Sequence, residues 1–340
     1  MKAPFIYFGG KSRVAQAVWE RLGDTPNYVE PFAGSLAVLL ARPDSHHWWD
    51  RIETVNDADG LVSNFWRATQ ADPDGVAHWA DWIVSENDLH ARHAWLVGQR
   101  ESLQARLEGD PDYYDAKVAG WWLWGICIWI GGGWCSGKGP WHVHDGQMVK
   151  EGSSASGINR RRPHLGNAGQ GINRKLPRVL DGTGHADAWS EHLRDMMRRL
   201  RDRLRRVRVC CGDWSRVCGY TPTTVNGMTG VFLDPPYAAE VGRDMGLYAV
   251  DDGDVAAGVR RWAIEHGGDP LMRIALCGYE APGWEMPEGW TAYRWKASGG
   301  YGRHGNGRGR ENAKREVIWF SPHCLVVSQL ALEGEETNSA

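Results

Sequence analysis

Tyr28-Val29-Glu30-Pro31-Phe32-Ala33-Gly34-Ser35-Leu36-Ala37-Val38-Leu39-Leu40 reads as a short strand, a tight glycine turn and the start of a helix. A turn of this kind lets a ligand approach the backbone and sets helix N-terminal N–H groups beside it. Further on, Thr54-Val55-Asn56-Asp57 puts a carboxylate at the end of a second strand. That is the usual post for gripping ribose hydroxyls in a nucleotide-binding α/β sheet, and a plain helix-capping aspartate is the alternative. Upstream, Phe5-Ile6-Tyr7-Phe8-Gly9-Gly10-Lys11 adds a Gly-Gly turn with a lysine. Residues 1–60 therefore predict loop, helix, strand, glycine turn, helix and strand, the first half of a doubly wound sheet.

Beyond residue 60 the pattern turns helical. Leu61, Phe65 and Ala68, then Val76, Trp79, Trp82 and Ile83, recur at spacings of three and four. Residues 116–130 read as a further apolar helix, and 136–171, rich in Gly, Ser, Asn, His and Arg, as a loop. An amphipathic helix is expected at 187–204, its arginine face (Arg194, Arg198, Arg201, Arg205) balanced by Glu191, Asp195 and Asp202. Strand signals resume at 207–211, 230–233, 273–277, 291–295 and 315–320, with a helix at about 253–266. The expected organisation is a catalytic sheet split between 1–60 and 187–322, a helical insert at 61–186, and a disordered tail at 323–340.

The strand Gly230-Val231-Phe232-Leu233 delivers Asp234-Pro235-Pro236-Tyr237. The prolines remove two N–H donors and stiffen the turn. Asp234 then offers a carboxylate acceptor, Pro235 a carbonyl acceptor and Tyr237 a flat face. Together these suit a planar ring with an exocyclic NH2, such as adenine.

Bulk properties narrow the field. The formal net charge is -3, so nucleic-acid binding would need a local basic surface. Seven scattered cysteines, no C-x-x-C pair, no signal peptide and no long apolar span lead us to expect a reducing cytosol and no membrane. Neither Cys210, Cys211 and Cys218 nor His142 and His144 find a second ligand pair at suitable spacing, so no metal is expected.

In this order, the segments resemble the Dam-like (D12 class, α-group) DNA adenine-N6 methyltransferases. The resemblance implies a Rossmann-like S-adenosylmethionine-dependent methyltransferase sheet, with the helical insert as target-recognition domain. Phe8-Gly9-Gly10-Lys11, with Tyr7 before it, looks like the opening motif beside the methionine part of S-adenosylmethionine. Glu30, Pro31, Phe32, Ala33, Gly34 and Ser35 look like the cofactor loop, and Asn56-Asp57 like the ribose contact. Gly212-Asp213-Trp214 is similar to the segment that meets the cofactor adenine. Asp234, Pro235, Pro236 and Tyr237 look like the catalytic tetrad, with Asp234 also at the cofactor, and Tyr248 fits the tyrosine that often follows. One departure stands out. The family loop commonly reads F-x-G-x-G, whereas Ser35-Leu36 follows Gly34 here, and a shorter loop is expected. The implied partner is double-stranded DNA, in a bacterial or phage-infected cell.

Several DNA contacts are expected. Trp134 and Trp141 sit among glycines near Lys138, where they either stack on bases or cap the helical core. Arg160, Arg161, Arg162, Arg174 and Lys175 form the main basic cluster of the insert, readable also as a solvated loop. Arg303, Arg308 and Arg310 lie in a glycine-arginine loop between the last two strands. Rival readings keep the sheet but methylate cytosine N4, an RNA base or a protein amide. Those activities more often resemble Ser-Pro-Pro or Asn-Pro-Pro tetrads. A non-catalytic DNA-binding protein with a degenerate cofactor fold is the rival from another class.

Overall fold

The structure is a computed structural model that describes residues 1–7, 10–44, 50–110, 112–129, 134–135, 141–144, 147–150, 186–236, 255–280, 285–295 and 316–326. In chain order, α1 (Ala15–Leu22), β1 (Asn27–Glu30), α2 (Ala37–Leu40) and β2 (Ile52–Asp57) come first. Four helices follow: α3 (Gly60–Ala71), α4 (Pro73–Ala80), α5 (Glu86–Gly109) and α6 (Ala116–Ile128). Then come β3 (Trp141–His144), β4 (Gln147–Lys150), α7 (Ala186–Leu204) and β5 (Val207–Cys211). The chain continues with β6 (Thr229–Leu233), α8 (Val255–His266), β7 (Met272–Tyr279), β8 (Thr291–Arg294) and β9 (Glu316–Phe320).

Among the described residues, seven strands form one mixed sheet in the order β5-β2-β1-β6-β7-β9-β8. The first five run parallel, and β9 is antiparallel to both β7 and β8. The chain steps outward from β1 to β2 to β5, then returns to the other side of β1 as β6. The connections leaving β1 and β6 therefore diverge, which is the switch point where a Rossmann-like sheet opens a crevice at its carboxyl edge. Both strands are buried along their whole length, as parallel strands covered on two faces must be. On one face Tyr28, Phe232, Ala275, Cys277, Ile318 and Phe320 join α1 and the insert helices. On the other, Val29, Val231, Leu233, Ile274, Leu276 and Trp319 pack against Val259 and Ala263 of α8.

The insert helices start where the sequence offers caps. Asp59, Asp72, Ser85 and Asp115 each accept a hydrogen bond from a backbone N–H in the first turn of α3, α4, α5 and α6. Their aromatic rings fill a shared core: Phe65 meets Phe5 at 5.3 Å and Trp66 at 4.7 Å, mostly edge to face. Arg92 is enclosed by Trp82, Trp121 and Trp124, its guanidinium 4.5–4.6 Å from their centroids. The arginine face of α7 is balanced by acids, with Arg198 on Asp74, Arg199 on Asp195, Arg201 on Asp202 and Arg203 on Glu53.

Two expectations are corrected. The stretch expected to be all loop at 136–171 contains the antiparallel pair β3–β4. Its sequence signal is Asp145-Gly146 between two short strands, a pair that favours two-residue hairpins. The tail expected to be disordered from 323 is held at its start. Leu325 N–H donates to the Arg21 carbonyl at 2.7 Å, and Cys324 is buried. Among the described residues, no helix is long and apolar enough to cross a membrane, and no disulfide forms.

Candidate functional site

A crevice with a cavity volume of about 200 Å³ opens at the β1/β6 switch point. Its wall takes in Tyr7, Gly10, Lys11, Glu30 and the turn after β1, then Asn56 and Asp57, Asp213 and Trp214, and Asp234 and Pro236. Segments far apart in the sequence thus converge on one edge of the sheet.

The glycine turn is tied down from three sides. Ala33 N–H donates to the Asn56 carbonyl at 2.8 Å, and the Trp66 indole N–H to the Gly34 carbonyl at 2.9 Å. Gly34 N–H donates to Asp57 Oδ2 at 2.9 Å. Gly34 has φ +43°, and a Cβ there would come within 2.8 Å of the Tyr7 ring. A side chain at this position is excluded both by backbone and by space. The loop is not shortened by the missing second glycine. Leu36 occupies that place in the left-handed region, φ 51°, ψ 31°, with its side chain fully buried. The turn therefore keeps a glycine-like backbone without the glycine.

Asn56 is a staple. Its Nδ2 donates to the Pro31 carbonyl at 3.1 Å and the Gly212 carbonyl at 3.0 Å, joining the ends of β1, β2 and β5. Its buried Oδ1 has no hydrogen-bond partner among the described residues. Asp57 also accepts from Asp59 N–H at 2.9 Å. Burial, then the neighbouring Asp59 charge, pushes its carboxyl up to about 7. Asp213 caps the short 3-10 helix Trp214–Val217 by accepting from Ser215 N–H at 2.9 Å. Trp214 lies near-parallel to Phe32, centroids 6.4 Å apart at 28°, so two flat aromatic faces border the crevice.

Glu30 is 2% exposed and accepts from the Tyr28 hydroxyl at 2.9 Å. Burial pushes its carboxyl up to about 8, against the pull of that bond and of the Leu39 N–H. Lys11 is 3% exposed and its Nζ lies 2.9 Å from Asp234 Oδ2. Burial works against the ammonium, but the Asp234 and Glu316 carboxylates and the hydrogen bond to Asp234 outweigh it and hold Lys11 above the ordinary lysine range. Pro235 is buried and Pro236 half-buried. The site thus has acidic groups, a paired cation, flat rings and an open turn, a set suited to a ligand with cationic, hydroxylic and aromatic parts.

Of the expected site residues, Phe8, Gly9, Tyr237, Lys138, Arg160, Arg161, Arg162, Arg174, Lys175, Arg303, Arg308 and Arg310 lie outside the described residues, as does Tyr248. Of its two readings, Trp134 takes that of a core cap. It is 6% exposed, its Nε1 donates to the Trp122 carbonyl at 3.2 Å, and it packs on His93 and Trp129. Sequence reasoning missed Trp66, which braces the turn from α3, and Glu316, a lone acid opening an apolar strand. A carboxylate leading the run Val317-Ile318-Trp319-Phe320 was the available signal. Among the described residues no group of three or more His, Cys, Asp or Glu could hold a metal ion. No family model matches this chain, and no match to a curated protein was found.

Proposed function

We propose that the chain methylates the N6 amino group of adenine in double-stranded DNA, with S-adenosylmethionine as donor. The convergence of the Glu30–Ser35 turn, Asp57, Trp214 and the Lys11–Asp234 pair in one crevice carries this reading. The donor set fits the cofactor. Phe32 and Trp214 offer faces for its adenine, Asp57 an acceptor for ribose hydroxyls, and the Glu30 carboxyl an acceptor for its ammonium. The unpartnered Asn56 Oδ1 is a further acceptor at the same wall. When bound, the cofactor supplies an activated sulfonium methyl.

The remaining work falls to the chain. The target base leaves the duplex stack before it can reach the crevice. Asp234 and the Pro235 carbonyl accept the two N6 hydrogens, which favours a tetrahedral nitrogen with a localised lone pair. Lys11 holds the Asp234 carboxylate in place, and Tyr237 stacks on the ring. Positioning supplies most of the catalysis. With net charge -3, phosphate contacts fall to local clusters, and Arg160, Arg161, Arg162, Arg174, Lys175, Lys138 and the Arg303, Arg308 and Arg310 loop are our candidates.

The test is sequencing of DNA from a methylation-deficient host expressing the chain, with modified-base detection and Asp234→Ala as control. N6-methyladenine at a defined sequence, absent with Asp234→Ala while cofactor still binds, is the expected result. N4-methylcytosine would move the acceptor to cytosine. No modified base, together with no cofactor binding by calorimetry, would refute the reading.

A further inference from the structure

Across the carboxyl edge of the sheet, four neighbouring strands place ionisable groups on one face. Tyr28, Phe232, Cys277 and Ile318 all belong to the core under α1. Strand alternation puts Glu30, Asp234 and Glu316 on that same face, two residues from Tyr28, Phe232 and Ile318. In sheet order β1, β6, β7 and β9 contribute Glu30, Asp234, Cys277 and Glu316. Lys11 is ion-paired in this row, and its charge is felt by Asp234, Cys277 and Glu316.

Glu316 is the unexplained member. It is 9% exposed, its Oε2 has no hydrogen-bond partner among the described residues, and it is not part of the crevice wall. A buried carboxyl with an unmet oxygen is unfavourable for stability, and an apolar residue of like size would serve the strand better. Its effect is therefore to be sought on the charges beside it. We propose that Glu316 is a positioning residue for Asp234: when ionised it shares the Lys11 ammonium and leaves Asp234 the stronger acceptor for an incoming amino group. This rests on the reaction proposed above for Asp234.

Lys11 keeps its proton, so it acts as a fixed charge and not as a proton carrier. With Glu316 neutral, Asp234 carries the larger share of the ammonium. With Glu316 ionised, the same positive charge is divided between two carboxylates. Burial pushes the Glu316 carboxyl up to about 7, with Lys11 lowering and Asp234 raising it, so the division changes across neutral pH. Among the described residues, several other groups share this end of the face. On β7, burial holds the Cys277 thiol well above its ordinary range, so it stays neutral. Tyr279 pairs with Glu316 in register, and just after β8 the Trp295 N–H donates to its carbonyl at 3.4 Å. At the far end of the face, Arg21 of α1 stacks over Tyr293 and Phe320. Glu30 couples to the row through Asp234 and Cys277.

The experiment is single-turnover methylation of unmethylated host genomic DNA by the full chain from pH 5.5 to 9, counting N6-methyladenine by mass spectrometry. The wild type should show a rate that rises through a limb near pH 7. Glu316→Gln should lose that limb and run about tenfold slower at pH 8, with S-adenosylmethionine affinity within about twofold of wild type. Glu316→Asp should restore the limb. A Glu316→Gln profile parallel to wild type overturns the inference while leaving the reaction standing. Absence of methylation by the wild type at every pH overturns the reaction, and this inference with it. If Glu316→Gln does not fold, carbon-13 NMR of labelled glutamate carboxyls in the wild type decides. A carboxyl titrating near pH 7, still present in Glu30→Gln and shifting in Asp234→Asn, supports the coupling, and its absence refutes it.

Discussion

Leu36 tests whether the turn is built as described. Its φ of 51° costs a non-glycine residue about 1–2 kcal/mol, and its side chain, 0% exposed, must hold it there. Leu36→Ala removes the packing and keeps the strain, for a loss of about 3 kcal/mol. Leu36→Gly loses a further methyl, about 0.8 kcal/mol, and adds about 0.5–1 kcal/mol of glycine flexibility. It also relieves the strain. These effects nearly cancel, so the glycine and alanine variants should be about equally stable. In ordinary right-handed backbone the glycine variant would fall below alanine by roughly 1.5 kcal/mol. Urea unfolding of the three proteins, followed by tryptophan fluorescence and far-ultraviolet circular dichroism, resolves that gap. A glycine variant clearly weaker than alanine would refute the left-handed assignment.

Two further outcomes follow from burial. Glu30, held up to about 8 against its ordinary 4.5, contributes stability that is full below pH 4.5 and lost as pH rises through 8. Glu30→Gln cannot ionise, so its stability relative to wild type should improve between pH 5 and 9 by several kcal/mol, because each tenfold change in proton affinity is worth about 1.4 kcal/mol. A difference that stays flat over that range removes the buried carboxyl. A Cβ on Gly125 would enter the Trp134 indole. Helix propensity gains about 1 kcal/mol from Gly125→Ala, but overpacking costs about 1–3 kcal/mol. The variant should melt lower than wild type, and should not do so in a Trp134→Ala background. A higher melting temperature in the wild-type background would return Trp134 to the surface.

The sheet was legible because its strands are short apolar runs punctuated by glycine, proline and acids. Residues 28–40 and 54–57 carried enough of that pattern to imply the first half of a doubly wound sheet. The Lys11–Asp234 pair was not legible, since residues from opposite ends of the chain meet only once β1 and β6 are neighbours. Nor was the Leu36 backbone, because leucine carries no bias toward the left-handed region and only the fold imposes it. The β3–β4 pair was hidden by the glycine- and arginine-rich sequence around it. Trp134 could be read two ways because its glycine-rich surroundings mask the helix it packs against. Glu316 shows the opposite limit: the residue was plain in the sequence, but its neighbours were not.

The seam between β1 and β6 also sets a schedule for synthesis. Val29 pairs with Val231, so β1 waits for about 200 further residues before its second neighbour exists. At about 5–20 residues per second this is roughly 10–40 s on the ribosome. During that interval β1 can pair with β2 on one side only, leaving an open row of backbone donors and acceptors on the other. The Asn27 amide also waits, since its donors go to the carbonyls of Pro222 and Thr223 and to the Thr229 hydroxyl. A chain truncated before residue 229 keeps that edge permanently open, a template for aggregation or for a chaperone.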